Sequence, residues 1–266
     1  MAKFKIWMVA LTLIMGVSLS SCLNSESDPI YSDAFPVKCV NFYPPTFQTI
    51  NGQKLVLSGS STASFNVGEL YMLYFQFNTE EQSVDAPSIN VTVWNGIEPI
   101  ALNAKNSEGP TGISESTKAN SALYAFSGIV SSSTGSVNID PAVIFDNEYL
   151  YVRPVYWVKQ VTGDEKQKEE LAKHAFVLTY DLESIKEGDE ELVLTLNHVI
   201  TETSEEEVKR DAYTSTIKAY PLTSALYAFQ SKAKQKPTKI KLVGQVNTSK
   251  NSLEGATEQV WEYTIK

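Results

Sequence analysis

Apolar and polar positions along this chain follow the two-residue period of β-strands far more often than the period of a helix. Residues 37–43 are rich in β-branched and aromatic side chains (Val37, Val40, Phe42, Tyr43). They stop at Pro44-Pro45, which cannot donate to a ladder. Asn51-Gly52 tolerates the positive φ of a tight turn and predicts a hairpin into residues 54–57. Gly68 opens the longest apolar run of this half, 69–77, and Ile89, Val91 and Val93 then alternate with Asn90, Thr92 and Trp94. With a short fifth strand at 99–102, the pattern predicts a small barrel or sandwich.

From 103 to 121 almost no large apolar residue occurs, while Gly109, Pro110, Gly112 and several serines do, so a domain boundary is expected there. The expected division is a barrel over 36–104, a linker over 105–121 and a second domain over 122–266. Strands of that domain are predicted at 122–130, 149–159, 175–180, 191–198, 212–220, 239–246 and 259–265. Such a count with polar turns predicts a β-sandwich. The strand 149–159 is apolar on both faces, which places Trp157 in the core, and Pro154 in its middle implies a bulge or an unpaired edge. Thr162-Gly163-Asp164-Glu165 reads as a capping box ahead of a short surface helix over 166–174, with Leu171 and Ala175 as its apolar stripe. The fold class is therefore all-β, with two domains and one short helix.

The amino-terminal stretch carries a different signal. Lys3 and Lys5 precede an apolar run over 6–17, which is too short for a membrane span of roughly 20 residues and has the layout of an export signal. Leu19-Ser20-Ser21-Cys22 follows as a lipobox. Residues 1–21 are thus expected to be removed and Cys22 to be acylated, with 22–35, polar and acidic, as a tether. Ordinary cleavage after Ser20 is the alternative.

Removing the signal takes away two lysines and no acid, so the formal charge falls from -9 to -11. A chain this acidic gains no counterion-release energy from phosphates, so no nucleic-acid partner is expected, and the lipid alone would hold it on its membrane. The chain has two cysteines. With Cys22 acylated, Cys39 has no partner for a disulfide, and burial must supply the stability.

Candidate chemistry is sparse. His174 and His198 are the only histidines, neither has a second ligand at helical or hairpin spacing, and both are read as structural, with no metal or cofactor implied. Glu187, Asp189, Glu190 and Glu191 around Gly188 read as a solvated turn, lacking the ordered spacing of a calcium loop. Ser231-Lys232-Ala233-Lys234 fits a Ser-x-x-Lys pattern only inside a lysine-rich run (Lys232, Lys234, Lys236, Lys239, Lys241) expected to be a solvated hairpin, with Lys239 and Lys241 on the wet face of its strand and an anion-facing patch as the alternative. No catalytic residue is assigned. Tyr71, Phe75 and Phe77 share one strand face and Leu70, Met72 and Tyr74 the other, so one set fills the barrel and the other is covered or free to stack on a ligand.

The leader from Ala10 to Ser25 resembles that of NigD-like lipoproteins of Gram-negative bacteria of gut and mouth. So do Tyr156-Trp157-Val158-Lys159, the run His174-Ala175-Phe176-Val177-Leu178-Thr179-Tyr180-Asp181, and Glu191-Leu192-Val193-Leu194-Thr195-Leu196-Asn197-His198. The resemblance implies an OB-like barrel followed by a β-sandwich, and it carries no enzyme activity and no functional residue. Ser25-Glu26-Ser27-Asp28 resembles the surface-export tethers of these bacteria, so the expected location is the outer membrane, lipid-anchored, at the cell surface or else on the periplasmic face. The expected role is a non-enzymatic binding or accessory module whose partner is a glycan or an envelope protein. A bacteriocin-system accessory or immunity factor and an envelope glycan hydrolase are the alternatives.

Overall fold

A computed structural model describes residues 29–59, 64–102, 109–126, 129–130, 139–140, 142–201 and 208–265. The lipobox and Cys22 lie outside the described residues. The chain divides into two compact units, Met1–Ile100 and Ala101–Lys266.

The first unit is built from β1 (Ile30–Phe42), β2 (Pro45–Gln48), β3 (Lys54–Leu57), β4 (Leu70–Asn78) and β5 (Ser88–Val93), with β6 (Ile100–Ala101) at the junction. Its order is β1-β2-β3-β5-β4, and β1 pairs back onto β4, which closes the barrel. All pairings are antiparallel except β3 with β5. This is the order of an OB barrel, as expected. The turn between β2 and β3 falls on Asn51-Gly52: Gly52 has φ 83 and its N–H donates to the Thr49 carbonyl at 2.9 Å.

The barrel core holds Val37, Cys39, Phe47, Leu55, Tyr71, Leu73, Phe75, Ile89 and Val91. Of the two faces of β4, the odd-numbered one therefore fills the interior. Leu70 and Met72, on the other face, are also buried, and Tyr74 is half-buried. Strand β1 starts at Ile30, inside the stretch expected as a tether. Residues 30–35 pair with β4 from Ile30 opposite Asn78 to Phe35 opposite Leu73. Tyr31 and Phe35 supply the apolar contacts that the polar composition around them conceals.

In the second unit, β7 (Thr111–Gly112), β8 (Leu123–Phe126), β9 (Ile129–Val130), β10 (Ile139–Asp140), β11 (Ala142–Phe145), β12 (Tyr149–Val152) and β13 (Pro154–Val158) precede α1 (Asp164–Ala172). They are followed by β14 (His174–Tyr180), β15 (Glu191–Ile200), β16 (Ala212–Ser215), β17 (Lys218–Pro221), α2 (Thr223–Ala233), β18 (Lys239–Val246) and β19 (Thr257–Thr264). One sheet runs β16-β13-β8-β18-β15-β14-β7 with β19 also on β18, and a smaller one runs β11-β12-β17. The core between them takes Leu150, Val152 and Tyr220 from the small sheet and Tyr156, Phe176, Leu178, Leu192, Leu194, Leu196, Ile240 and Leu242 from the large one. Part of the expected linker belongs to this unit, since Thr111 and Gly112 pair with Thr179 and Tyr180.

The expected strand over 149–159 is two strands in two different sheets, divided at Arg153 ahead of Pro154. Its partner divides the same way into β16 and β17. Toward β16 and β17 the register runs through the corner without a slip, since Val152 faces Lys218, Val155 faces Ser215, and between them the Thr216 N–H donates to the Pro154 carbonyl at 3.2 Å; toward β8 it shifts between Val155 and Tyr156, the irregularity expected beside Pro154. The proline leaves the ladder one N–H short at the bend, since Pro154 accepts from Thr216 but cannot donate back.

Two helices are described where the sequence pattern predicts one. In α1 the capping box does not form: Gly163, with φ 99, is the N-cap and no side chain caps it. Helix α2 is the unexpected one. It buries Ala225, Phe229 and Ala233, four residues apart, against the sandwich core, a helical stripe hidden behind its mixed serines and lysines.

Candidate functional site

Three groupings of side chains carry chemistry. The first lies in the barrel. Tyr31, Asp33, Phe35, Val37 and Cys39 alternate along β1, and Val37 and Cys39 fill the barrel core while Tyr31 and Phe35 pack against it, so Asp33 shares the inner side. It stands opposite Phe75 on β4. Ring centroids lie 5.2 Å apart for Tyr31 and Phe77 and 5.7 Å apart for Phe35 and Phe75. The Tyr31 hydroxyl donates to Asp33 Oδ2 at 2.6 Å and the Ala34 N–H donates to Oδ1 at 2.7 Å. Burial raises the Asp33 carboxyl, and these two hydrogen bonds only partly oppose it. Tyr31 is pushed up too, by burial and then by Asp33, and stays a donor. Cys39 is buried and free, its thiol raised by burial and directed at the Asn41 carbonyl at 3.4 Å.

The second is a buried polar chain in the sandwich unit. His174 begins β14 directly after α1, and His198 lies near the end of β15 diagonally across from it, so the two rings meet with Nδ1 of His174 2.9 Å from Nε2 of His198. His198 Nδ1 lies 3.3 Å from the Ala122 carbonyl, and His174 Nε2 lies 3.4 Å from Glu170 Oε1. Glu170 is the inward residue of α1, 3% exposed, whereas Leu171, expected to face inward, is 37% exposed. The same Oε1 accepts from the Lys159 N–H at 2.9 Å and from Arg210 Nε at 3.0 Å, and the Lys173 ammonium lies 3.4 Å from Oε2. Tyr156 and Phe176 enclose the rings, Phe176 stacking on His198 at 5.0 Å.

Burial, followed by the neighbouring His174, holds His198 down at about 3. Burial likewise lowers His174, with Glu170 opposing. For Glu170, burial pushes upward but is outweighed by the Lys159 N–H, Arg210 and His174, and the carboxyl ends below its usual range. Two neutral imidazoles thus carry two N–H groups for three contacts whose outer partners, a carbonyl and a carboxylate, only accept. The charge-assisted bond to Glu170 is the stronger outer contact, so the favoured arrangement puts protons on Nε2 of both rings and leaves His198 Nδ1 bare. No local spacing in the sequence connects the two histidines. A strand pairing brings them together, and Glu170 and Arg210 join them from a helix and a distant loop. Arg210 is one of only two arginines in the chain, a residue type suited to buried carboxylates.

The third is an aromatic face on the outer side of the large sheet. Tyr213 on edge strand β16 is 50% exposed and stacks on Tyr124 at 4.5 Å and 9°. Trp157 lies edge-on to Tyr124 at 5.1 Å, is 8% exposed, and donates from its indole N–H to the Asn247 carbonyl at 2.9 Å. It is buried as expected, yet as the base of this face and not in the inter-sheet core, which its neighbour Tyr156 enters.

The remaining candidates do not converge. Asp189 accepts from its own turn at the Lys186 N–H, 2.7 Å, and Gln235 holds the Gly188 and Asp189 carbonyls at 2.9 and 3.0 Å, so this turn is docked beside α2. The lysine run starts in a helix and not in a hairpin, as Lys232 lies in α2 and pairs with Glu183 at 3.6 Å, whereas Lys241 lies on the strand β18 as its alternation predicts and pairs with Glu191 at 3.6 Å. Ser231 donates to the Tyr227 carbonyl at 2.9 Å.

No protein-family model matches the chain, and no curated protein is similar to it in sequence. Among solved structures, a Bacteroides fragilis NCTC 9343 protein provisionally described as a lipoprotein is 27% identical, with a TM-score of 0.70, covering 89% of this chain and 99% of its own. A protein of unknown function, DUF1344, from Bacteroides vulgatus ATCC 8482 is 12% identical with a TM-score of 0.50, covering 89% of this chain and 92% of its own. The second likeness concerns the fold alone.

Proposed function

We propose that this chain is a lipid-anchored protein of the bacterial cell envelope that works by binding and not by catalysis, of the NigD-like kind. The enclosure of both histidines is the observation that carries the second half of this reading. Both rings are buried and committed to each other and to Glu170, and the bare His198 Nδ1 faces only a backbone carbonyl, so neither is offered to a substrate. The aromatic face supports the positive half. Tyr213, held flat on Tyr124 above a rigid Trp157, offers contact area at low entropic cost, which suits an uncharged partner such as an envelope glycan. The lipobox Leu19-Ser20-Ser21-Cys22 supports the anchor, and so does similarity to the Bacteroides fragilis protein. Placement in the outer membrane with exposure at the surface follows from the tether resemblance.

Two measurements test the reading. In detergent phase partitioning the wild type is expected in the detergent phase and Cys22→Ala in the aqueous phase; wild type in the aqueous phase refutes the anchor. Purified mature protein is then screened on a glycan panel with hydrolysis products followed in parallel. Saturable binding that Tyr213→Ala weakens, without turnover, is expected. Turnover abolished by a single Asp or Glu substitution would establish a hydrolase instead.

A further inference from the structure

Asp33 poses a problem of charge. It lies among the rings of Tyr31, Phe35, Phe75 and Phe77 on the inner side of the barrel wall, and both its carboxylate oxygens accept only from neutral donors. Among the described residues no lysine, arginine or histidine forms an ion pair with it. A carboxylate taken out of water without a cation is disfavoured, and neutral hydrogen bonds offset that only in part. Tyr31, Asp33 and Phe35 are each half-buried, so solvent reaches part of the group, whereas Phe75 and Phe77 are buried. Aromatic faces attract cations, and a carboxylate in their midst adds a direct counter-charge.

We infer that Asp33 and the four rings about it bind an organic ammonium ion, with the charge against the Asp33 carboxylate and its methyl or methylene groups against Tyr31, Phe35 and Phe75. A metal ion fits poorly, because calcium or magnesium needs several oxygen ligands and the rings supply none. An ammonium group bearing carbon substituents uses every part of the site. Its source is either a small free amine or a lysine side chain of another envelope protein. The site belongs to the barrel and does not rest on the sandwich face or on the lipid anchor.

Titration of the purified mature protein with choline, with its uncharged isostere 3,3-dimethylbutan-1-ol, and with Nα-acetyl-lysine amide tests this by calorimetry or by shifts of the Tyr31 ring resonances. Saturable binding of choline, at least about ten-fold tighter than of the neutral isostere, is expected, since a ten-fold change is what one modest charge contact supplies. Binding of the lysine derivative alone would assign the same site to a protein partner. Asp33→Asn keeps the size and the bond from the Ala34 N–H, with the new amide donating to the Tyr31 hydroxyl oxygen where the carboxylate accepted from it, and is expected to weaken cation binding about ten-fold or more. Phe35→Leu keeps the apolar packing and is expected to weaken it to a smaller extent, provided that each variant melts within a few degrees of wild type. Equal affinity for the neutral isostere, binding unaffected by Asp33→Asn, or no saturable binding of either cation overturns the inference.

Discussion

Glu170 and Arg210, 40 residues apart in sequence, meet in the interior of the sandwich unit with Oε1 and Nε 3.0 Å apart and side chains only 4% exposed each. The pair is the electrostatic end-stop of the histidine chain. Its carboxylate accepts from the Nε2–H of His174, and its guanidinium, together with the Lys159 N–H, keeps that carboxylate ionised.

Loss of Arg210 leaves the Glu170 carboxylate without its buried cation. Arg210→Met is expected to destabilise the protein by about 3–5 kcal/mol, because a buried carboxylate loses its cation. Lys173, half-exposed at 3.4 Å, replaces little of it. The double variant Glu170→Gln/Arg210→Met should recover much of the loss, as replacing both members of a buried pair often does. Urea unfolding of the single and double variants checks this; additive losses would mean that the two groups do not act as a pair.

Acid stability follows from His198. Its folded pKa is depressed from 6.5 to about 3, so its contribution is complete above pH 6.5. It is lost as pH falls from there toward about 3, where the unfolded chain takes up a proton that the folded one refuses, at about 1.4 kcal/mol per pH unit. Glu170, held below its usual 4.5, adds a loss of the same sign below that value. Melting temperatures of wild type are expected to fall steadily below pH 6.5, and those of His198→Asn to fall less. Parallel curves would show that His198 does not carry the effect.

Tyr151 is 1% exposed and its hydroxyl has no hydrogen-bond partner among the described residues. Tyr151→Phe removes an unsatisfied donor without opening a cavity. It is expected to leave stability unchanged or to raise it by up to about 1 kcal/mol. A clear loss on thermal melting would reveal a partner for the hydroxyl.

The two ends of the aromatic face should separate cleanly. Trp157→Ala is expected to cost about 3–5 kcal/mol, as truncation of a packed tryptophan does, and it also takes away the indole hydrogen bond to the Asn247 carbonyl. Tyr213→Ala, at an exposed edge position, should cost about 0.5 kcal/mol or less. Unfolding curves read both; a comparable loss for Tyr213 would make it a packing residue and not a free surface.

The barrel and sandwich are legible because burial on one face of a strand writes a period of two into the sequence, as Leu192, Leu194 and Leu196 do around the exposed Val193. The chain's polar interior is not legible for the same reason. Glu170 reads as one more acid on a charged helix, and only the fold reveals that α1 turns that position inward and not Leu171. The two histidines are separated by an entire hairpin, so their contact is a property of strand register. Asp33 falls in the expected polar tether since its neighbours Ser32 and Asp28 are polar, while the alternate residues Tyr31 and Phe35 carry the strand.

The corner at Arg153 and Pro154 has a mechanical consequence. Strands β12–β13 and β16–β17 cross from one sheet to the other as a single ladder in one register. The small sheet therefore cannot peel away from the large one without shearing hydrogen bonds on both sides of the bend. The corner acts as a seam and not as a hinge, and it ties both sheets into one cooperative unit of opening. Backbone amides of Leu150 and Tyr156, on opposite sides of the bend, should then exchange with solvent at a common rate, released by the same event.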